Sequence, residues 1–293
     1  MIYVLFSICF SVIVSVLFKL ARRYQIDVYQ AITWNYSMAI LLSLFFLKPQ
    51  LHHLRQAPFM VYTLLGILLP VLFLVFAASV RLTGIIRTDV AQRLSLFIPV
   101  ISSFLIFGEK IDAINLTGVV IGFAAIICCI PWQKQIAGIK ITANSWVYLL
   151  VVFLGMGIID VLFKQVALVP LVSSNTSLFI VFVLAFSISL IGLIYQVATK
   201  KMRFSYPHIL IGWVLGIANF GNILFFIKAH KVLSHHPSIV FSSVNIGVII
   251  LGTLTGIFVF KEKLSAFNKA GIILAVIAIT IISYHQYLAH LLY

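Results

Sequence analysis

Residues 107–118 read FGEKIDAINLTG, and residues 260–271 read FKEKLSAFNKAG. Phe, Glu, Lys, Ala, Asn and Gly recur in register, with Ile/Leu and Ile/Phe as conservative partners, at an offset of 153. A second block repeats as well: SVLFK at 15–19 matches DVLFK at 160–164, an offset of 145. Two matched blocks at similar offsets indicate a duplicated unit, which divides the chain into residues 1–143 and 144–293.

What that unit is follows from composition. Hydrophobic residues make up 63% of the chain and charged residues 9%, against roughly 25% charged in an ordinary soluble domain. So apolar a chain has too few polar side chains to cover its own surface, and its solvent is lipid. The three cysteines, Cys9, Cys128 and Cys129, lie inside apolar runs. They read as small packing residues, not as a disulfide framework or metal site. The formal charge of +14 lies mostly between the apolar runs. It fits loops that fix orientation and meet anionic headgroups better than a nucleic-acid face.

A helix needs about 20 apolar residues to cross the hydrocarbon core. Runs of that length fall at 2–21, 28–47, 57–80, 84–107, 111–130, 145–167, 173–198, 208–231, 236–260 and 265–287. The first lacks a basic leading region and a small-residue cleavage site, so it reads as a membrane helix, not as a signal peptide. The expected fold class is therefore all-α integral membrane, with about ten transmembrane helices in two five-helix repeats. Five is odd, so the second copy enters the membrane from the opposite side. The halves are then inverted, an arrangement found in transporters because two access states become related packings.

In this frame each copy of the opening motif is the turn between the fourth and fifth helix of its half. Asn115 and Asn268 mark re-entry into the membrane. Glu109 and Glu262 are expected at helix ends, where headgroup water solvates a carboxylate. The spacings Gly118/Gly122, Gly212/Gly216 and Gly252/Gly256 predict close helix contacts.

A charge at bilayer depth costs at least about 2.5–3.5 kcal/mol, so intramembrane polar residues are the candidate site. The fourth span is the most polar: RTDVAQRLSLFIP at 87–99. Arg87 and Asp89 lie near its mouth, Gln92, Arg93 and Ser95 lie deeper, and Pro99 is expected to open the helix backbone. Gln92 corresponds across the repeat to Asn245 in the ninth span. Arg93 is the sharpest choice, because a guanidinium there needs a carboxylate, a phosphate or water; Asp160 is a carboxylate that could meet it. Asp160 is also the candidate for proton coupling, and its repeat counterpart is Ser15. Lys164, four residues on and matched by Lys19, is placed to pair with Asp160. Asn219 and Asn222, three apart, share a face that lines a cavity or bonds a neighbouring helix. Trp34, Asn35 and Tyr36 read as packing. The adjacent pairs His52/His53 and His235/His236 diverge in an ordered segment and do not form a metal site.

Ten spans, two five-helix repeats and a duplicated Phe-x-Glu-Lys turn followed by Gly resemble the drug/metabolite transporter superfamily, EamA-like branch, over essentially the whole chain. The resemblance implies transport of small metabolites, amino acids or drugs across a bacterial plasma membrane. It also implies a central cavity formed by the first, third, fourth, sixth, eighth and ninth helices.

The expected function is a secondary active transporter of a small polar or amphipathic metabolite, anionic or zwitterionic, working by alternating access. An intramembrane enzyme or lipid-handling protein is the alternative, although no nucleophile with a base and no paired carboxylates stand out. No nucleotide or metal motif is present, so no cofactor is expected. The partners are a small solute and membrane lipid. Lys and Arg after odd-numbered spans outnumber those after even-numbered spans ten to five, which puts both termini outside the cytoplasm. The resemblance implies both inside.

Overall fold

In the computed structural model the described residues are 1–23, 26–50, 57–83, 85–109, 113–129, 145–169, 172–199, 202, 204–260, 267, 269–278 and 280–281. The side chains of Lys19, Arg87, Asp89 and Asn115, and the whole of His52, His53, Glu262 and Asn268, lie outside that description. All regular structure among the described residues is helical: α1 (Ile2–Arg23), α2 (Val28–Leu42), α3 (Phe59–Thr83), α4 (Ile85–Leu94), α5 (Phe97–Leu105), α6 (Ala113–Cys129), α7 (Ser145–Leu168), α8 (Ser174–Ala198), α9 (Pro207–Val232) and α10 (Pro237–Phe260). A last apolar helix, α11, covers Lys269–Ala278.

Local chemistry sets several of these boundaries. Asp27 accepts from Gln30 N–H at 3.0 Å and caps α2. Ser173 does the same for α8 through Thr176 N–H. Each satisfies a donor that the first turn leaves without a partner. Pro207 and Pro237 open α9 and α10, where a missing N–H costs nothing. The π-helical turn Ser43–Leu47 extends α2 and stops at Lys48, whose φ of 44° cannot continue a right-handed helix.

The expected fourth span is two helices. Pro99 lacks the N–H that would bond Ser95 O, and Ile98 N–H takes that carbonyl instead at 3.0 Å. Ser95 Oγ also donates to Gln92 O. The chain turns at Ser95–Leu96 between α4 and α5. Helix α7 packs on this break through Gly157, where a Cβ would stand 2.9 Å from Ser95 O.

Among the described residues, six helical stretches are long and apolar enough to cross a membrane: Val28–Leu47, Phe59–Val80, Trp146–Leu168, Ser174–Ala198, Pro207–Val232 and Pro237–Gly256. Shorter apolar helices cover Ile2–Phe18, Ala91–Leu105, Leu116–Ala125 and Lys269–Ala278. Each of the ten apolar runs in the sequence therefore carries helix. Large exposed apolar side chains, such as Phe45, Phe46, Leu105, Ile191, Leu210 and Phe258, leave an outer surface suited to acyl chains and not to water. The chain is an integral membrane protein.

Packing runs mostly between helices α1–α6 and helices α7–α10. Helix α2 lies on α8 and α9, α1 on α9 and α10, and α3 on α7 and α8, while α4 and α5 lie on α7. The largest core joins Tyr36, Tyr62, Leu96, Phe163, Phe182, Ile227 and Phe241. A smaller one joins Ala125 of α6, Ile246 of α10, and Ala275 and Ala278 of α11. At Gly212 and Gly216 the backbone of α2 comes so close that a Cβ would meet Ala31 O at 2.8 Å and Asn35 O at 2.6 Å, as their spacing predicts. Gly122 packs under Ile246. Gly252 is different: among the described residues nothing lies within 4 Å of its Cβ position, so the expected close contact is not seen there.

Candidate functional site

The polar residues fall into two groups. The first gathers around the break between α4 and α5. Gln92 and Arg93 sit half-buried on the last turn of α4, just before the break. Helix α4 faces α7, which carries half-buried Asp160, and α5 faces α10, which carries half-buried Asn245. Thus α4 with Gln92 and Arg93 lies on α7 with Asp160, while α10 with Asn245 reaches the same break through α5. Asn245 Nδ2 donates along its own helix to Phe241 O at 2.9 Å, and no hydrogen bond joins it to Gln92 among the described residues.

Helix α9 contributes two amides. Ser7 Oγ of α1 donates to Asn222 Oδ1 at 3.0 Å, so Asn222 bonds a neighbouring helix. Asn219 is buried and its Nδ2 has no partner. Ser15 is exposed, with its hydroxyl turned back to Ser11 O. Trp34, Asn35 and Tyr36 pack in the body of α2, and buried Asn35 Oδ1 and Tyr36 OH lack partners. A cavity of about 310 Å³ is lined by Trp34, Leu190, Leu193, Ile194, Val197, Ala198 and Phe204. It is apolar and includes none of the predicted site residues.

The second group lies at one end of the bundle, where α5, α7, α9 and α10 meet. Here two expectations are corrected. Glu109 is not solvated by headgroup water: it is only 8% exposed. One carboxylate oxygen accepts from Ser238 N–H at 2.9 Å and the other from the Ser238 hydroxyl. Pro237 has no N–H, so Ser238 N–H is the first free donor of α10, where the helix end also favours an anion. His236 Nδ1 lies 3.8 Å from the same carboxylate. Burial pushes the Glu109 carboxyl above the usual glutamate range, with the Ser238 hydrogen bonds, His236 and Lys164 pulling partly back.

Nor does Lys164 pair with Asp160: no ion pair joins them among the described residues. The Lys164 side chain is wholly buried and its ammonium donates to Ser234 O at 2.9 Å and His230 O at 3.4 Å. The side chain extends instead to the last carbonyls of α9 and of the turn after it, where unpaired carbonyls and the helix dipole favour a cation. The Lys164 ammonium also sits 5.8 Å from the Phe107 ring centroid. His230, fully buried against Phe226 and Phe241, has both ring nitrogens without a partner.

The two repeated sequence blocks therefore meet: Phe107 and Glu109 from one, Lys164 from the other. The sequence contained signals for this contact. Pro-Ser at 237–238 is a helix start in need of an acceptor, and Glu109 is one of only six acids in the chain. Among the described residues, no group of three His, Cys, Asp or Glu could hold a metal ion.

A family model described as the EamA-like transporter family matches residues 1–130. An uncharacterized protein of Haemophilus influenzae is 41% identical over 289 residues, covering 96% of this chain and 97% of that one. A solved crystal structure superposes with a TM-score of 0.70 over 96% of this chain and 94% of that chain. At 14% identity that likeness establishes the fold alone.

Proposed function

The chain belongs to the EamA-like transporter family, and we propose that it is a secondary active transporter that moves a small anionic or zwitterionic metabolite by alternating access. One observation carries this reading: the helix contacts keep their pattern when the halves are exchanged. Helix α1 lies on α9 as α7 lies on α3; α2 lies on α9 as α8 lies on α3; α1 lies on α10 as α7 lies on α4 and α5. That exchange supports ten spans in two inverted five-helix repeats, 1–143 and 144–293. Two related packings of similar energy are what alternating access requires.

The solute site proposed is the mid-depth group. Arg93 supplies charge and a planar fork of donors for a carboxylate or phosphate. Gln92, Asn245 and Asn219 supply amides, with Asn222 and Ser15 beside the path and Lys164 at its closed end. Asp160 is the proposed proton-coupling carboxylate. The membrane proposed is a bacterial plasma membrane.

The test begins with thermal-shift screening of the purified protein against pools of anionic and zwitterionic metabolites. Uptake of the hits into vesicles follows, with and without an imposed pH gradient. Losing one charge-assisted contact costs about 1.5–3 kcal/mol, so Arg93→Ala should lower uptake at least about tenfold. Uptake unchanged in that variant would remove Arg93 from the site.

A further inference from the structure

The contact of Glu109 with Ser238 and His236, with Lys164 beside it, lies apart from the mid-depth group and joins the end of α5 to the start of α10. We propose that it is a proton-responsive gate: this end of the transporter closes with uptake of a proton and opens with its release. The proposal rests on the alternating-access reading and adds a regulatory element to it.

The geometry is that of a clamp. Helices α9 and α10 are joined by a short turn, and that turn is held from two sides. Glu109, on the turn after α5, holds the first free N–H and the hydroxyl of α10. Lys164, on α7, holds the carbonyls of His230 and Ser234 at the end of α9. Opening a path between α5 and α10 at this end requires the Glu109–Ser238 contact to part. The freed carboxylate would then meet water.

The sign follows from comparing the two states. Closed, the Glu109 side chain is 2% exposed and its proton affinity is raised by burial. Open, it is a hydrated glutamate of ordinary acidity. A proton therefore binds more tightly to the closed state, and acid favours closure. Protonation does not break the clamp: one oxygen still accepts from Ser238 N–H, and the new O–H donates to the Ser238 hydroxyl. Among the described residues, the titratable groups facing the carboxylate are His236 on the α9–α10 turn and Lys164 on α7, with His230 behind Lys164. His236 is 52% exposed and 3.8 Å from Glu109, so the carboxylate lies one side chain away from the surface.

The experiment uses the full chain in lipid vesicles, with its cysteines replaced and spin labels on Leu105 and Val232. Both residues are exposed, at the ends of α5 and α9. Interlabel distances are read by pulsed electron resonance at about pH 5 and about pH 8; one linked proton changes the closed-to-open ratio by up to about tenfold per pH unit. The expected result is a short-distance population that grows at acid pH and a longer one that grows at alkaline pH. Glu109→Gln, which keeps an acceptor for Ser238 N–H and a donor for its hydroxyl, should hold the short distance at both values. A wild-type distribution that does not move with pH overturns the gate, whether or not the variant folds. So does a Glu109→Gln protein that responds as the wild type does. No solute is needed, so the two readings separate: uptake with a pH-invariant distance sinks the gate and leaves the transporter standing.

Discussion

Replacing Gly216 by alanine tests the packing on which every site assignment depends. A Cβ at Gly216 would stand 2.6 Å from Asn35 O and 2.8 Å from Met38 Cβ. Ordinary contact begins at 3.4 Å, so α2 and α9 must part by about 0.8 Å in an interior with few voids to absorb the shift. Overpacking of this kind costs about 1–3 kcal/mol. Alanine also raises helix propensity over glycine by about 0.8–1 kcal/mol, and that gain must be separated out. Gly252 provides the control: it lies within α10 and its Cβ position is open, so Gly252→Ala collects the propensity gain without the clash. The two variants should differ by roughly 1–3 kcal/mol, or roughly 2–10 °C in unfolding midpoint for a chain of this size. Thermal unfolding in detergent followed by tryptophan emission suits the question. Trp34 stands against Gly212, and Trp213 donates to Ser37 Oγ across the same interface at 3.2 Å. Equal midpoints for the two variants would refute the close α2–α9 crossing.

Ser7→Ala removes the hydroxyl that ties α1 to Asn222; a loss of about 0.6–1.5 kcal/mol is expected, and most of it should vanish when Asn222 is already alanine. Glu109 binds its proton more tightly folded than unfolded, so its share of stability is full below the unfolded glutamate range and is lost as pH rises through the folded value. The midpoint advantage of Glu109→Gln over wild type should therefore grow as pH is raised from acid to neutral, and a constant difference would contradict the burial argument. Asp160→Asn should abolish the dependence of uptake on an imposed pH gradient while leaving solute binding in place; gradient-driven uptake that survives the change would exclude Asp160 as the coupling group.

Some features were legible residue by residue. Apolar run length located the helices among the described residues, six of them long enough to cross a membrane, because a lipid solvent demands about 20 consecutive apolar residues. Pro99 foretold the break in the fourth span, since a missing N–H acts locally. Gly212 and Gly216 foretold a close crossing, whereas the same spacing at Gly252 faces open space. Spacing states which side a small residue is on, but not whether another helix lies there. The place of Glu109 along the chain is a turn, which predicts a hydrated carboxylate. Its burial depends on the start of α10, 129 residues away.

By itself, the sequence determined an all-helical membrane chain, its two pairs of matching blocks and the polar side chains that lipid would not tolerate without a purpose. Those are properties of single segments in a solvent. Only the tertiary structure decided partners: Lys164 with the carbonyls ending α9 and not with Asp160, Glu109 with Ser238, Asn222 with Ser7. Hydrogen-bonding groups in a low-dielectric interior are held by whichever complementary group is nearest in space, and in an interleaved bundle that group belongs to a distant part of the chain.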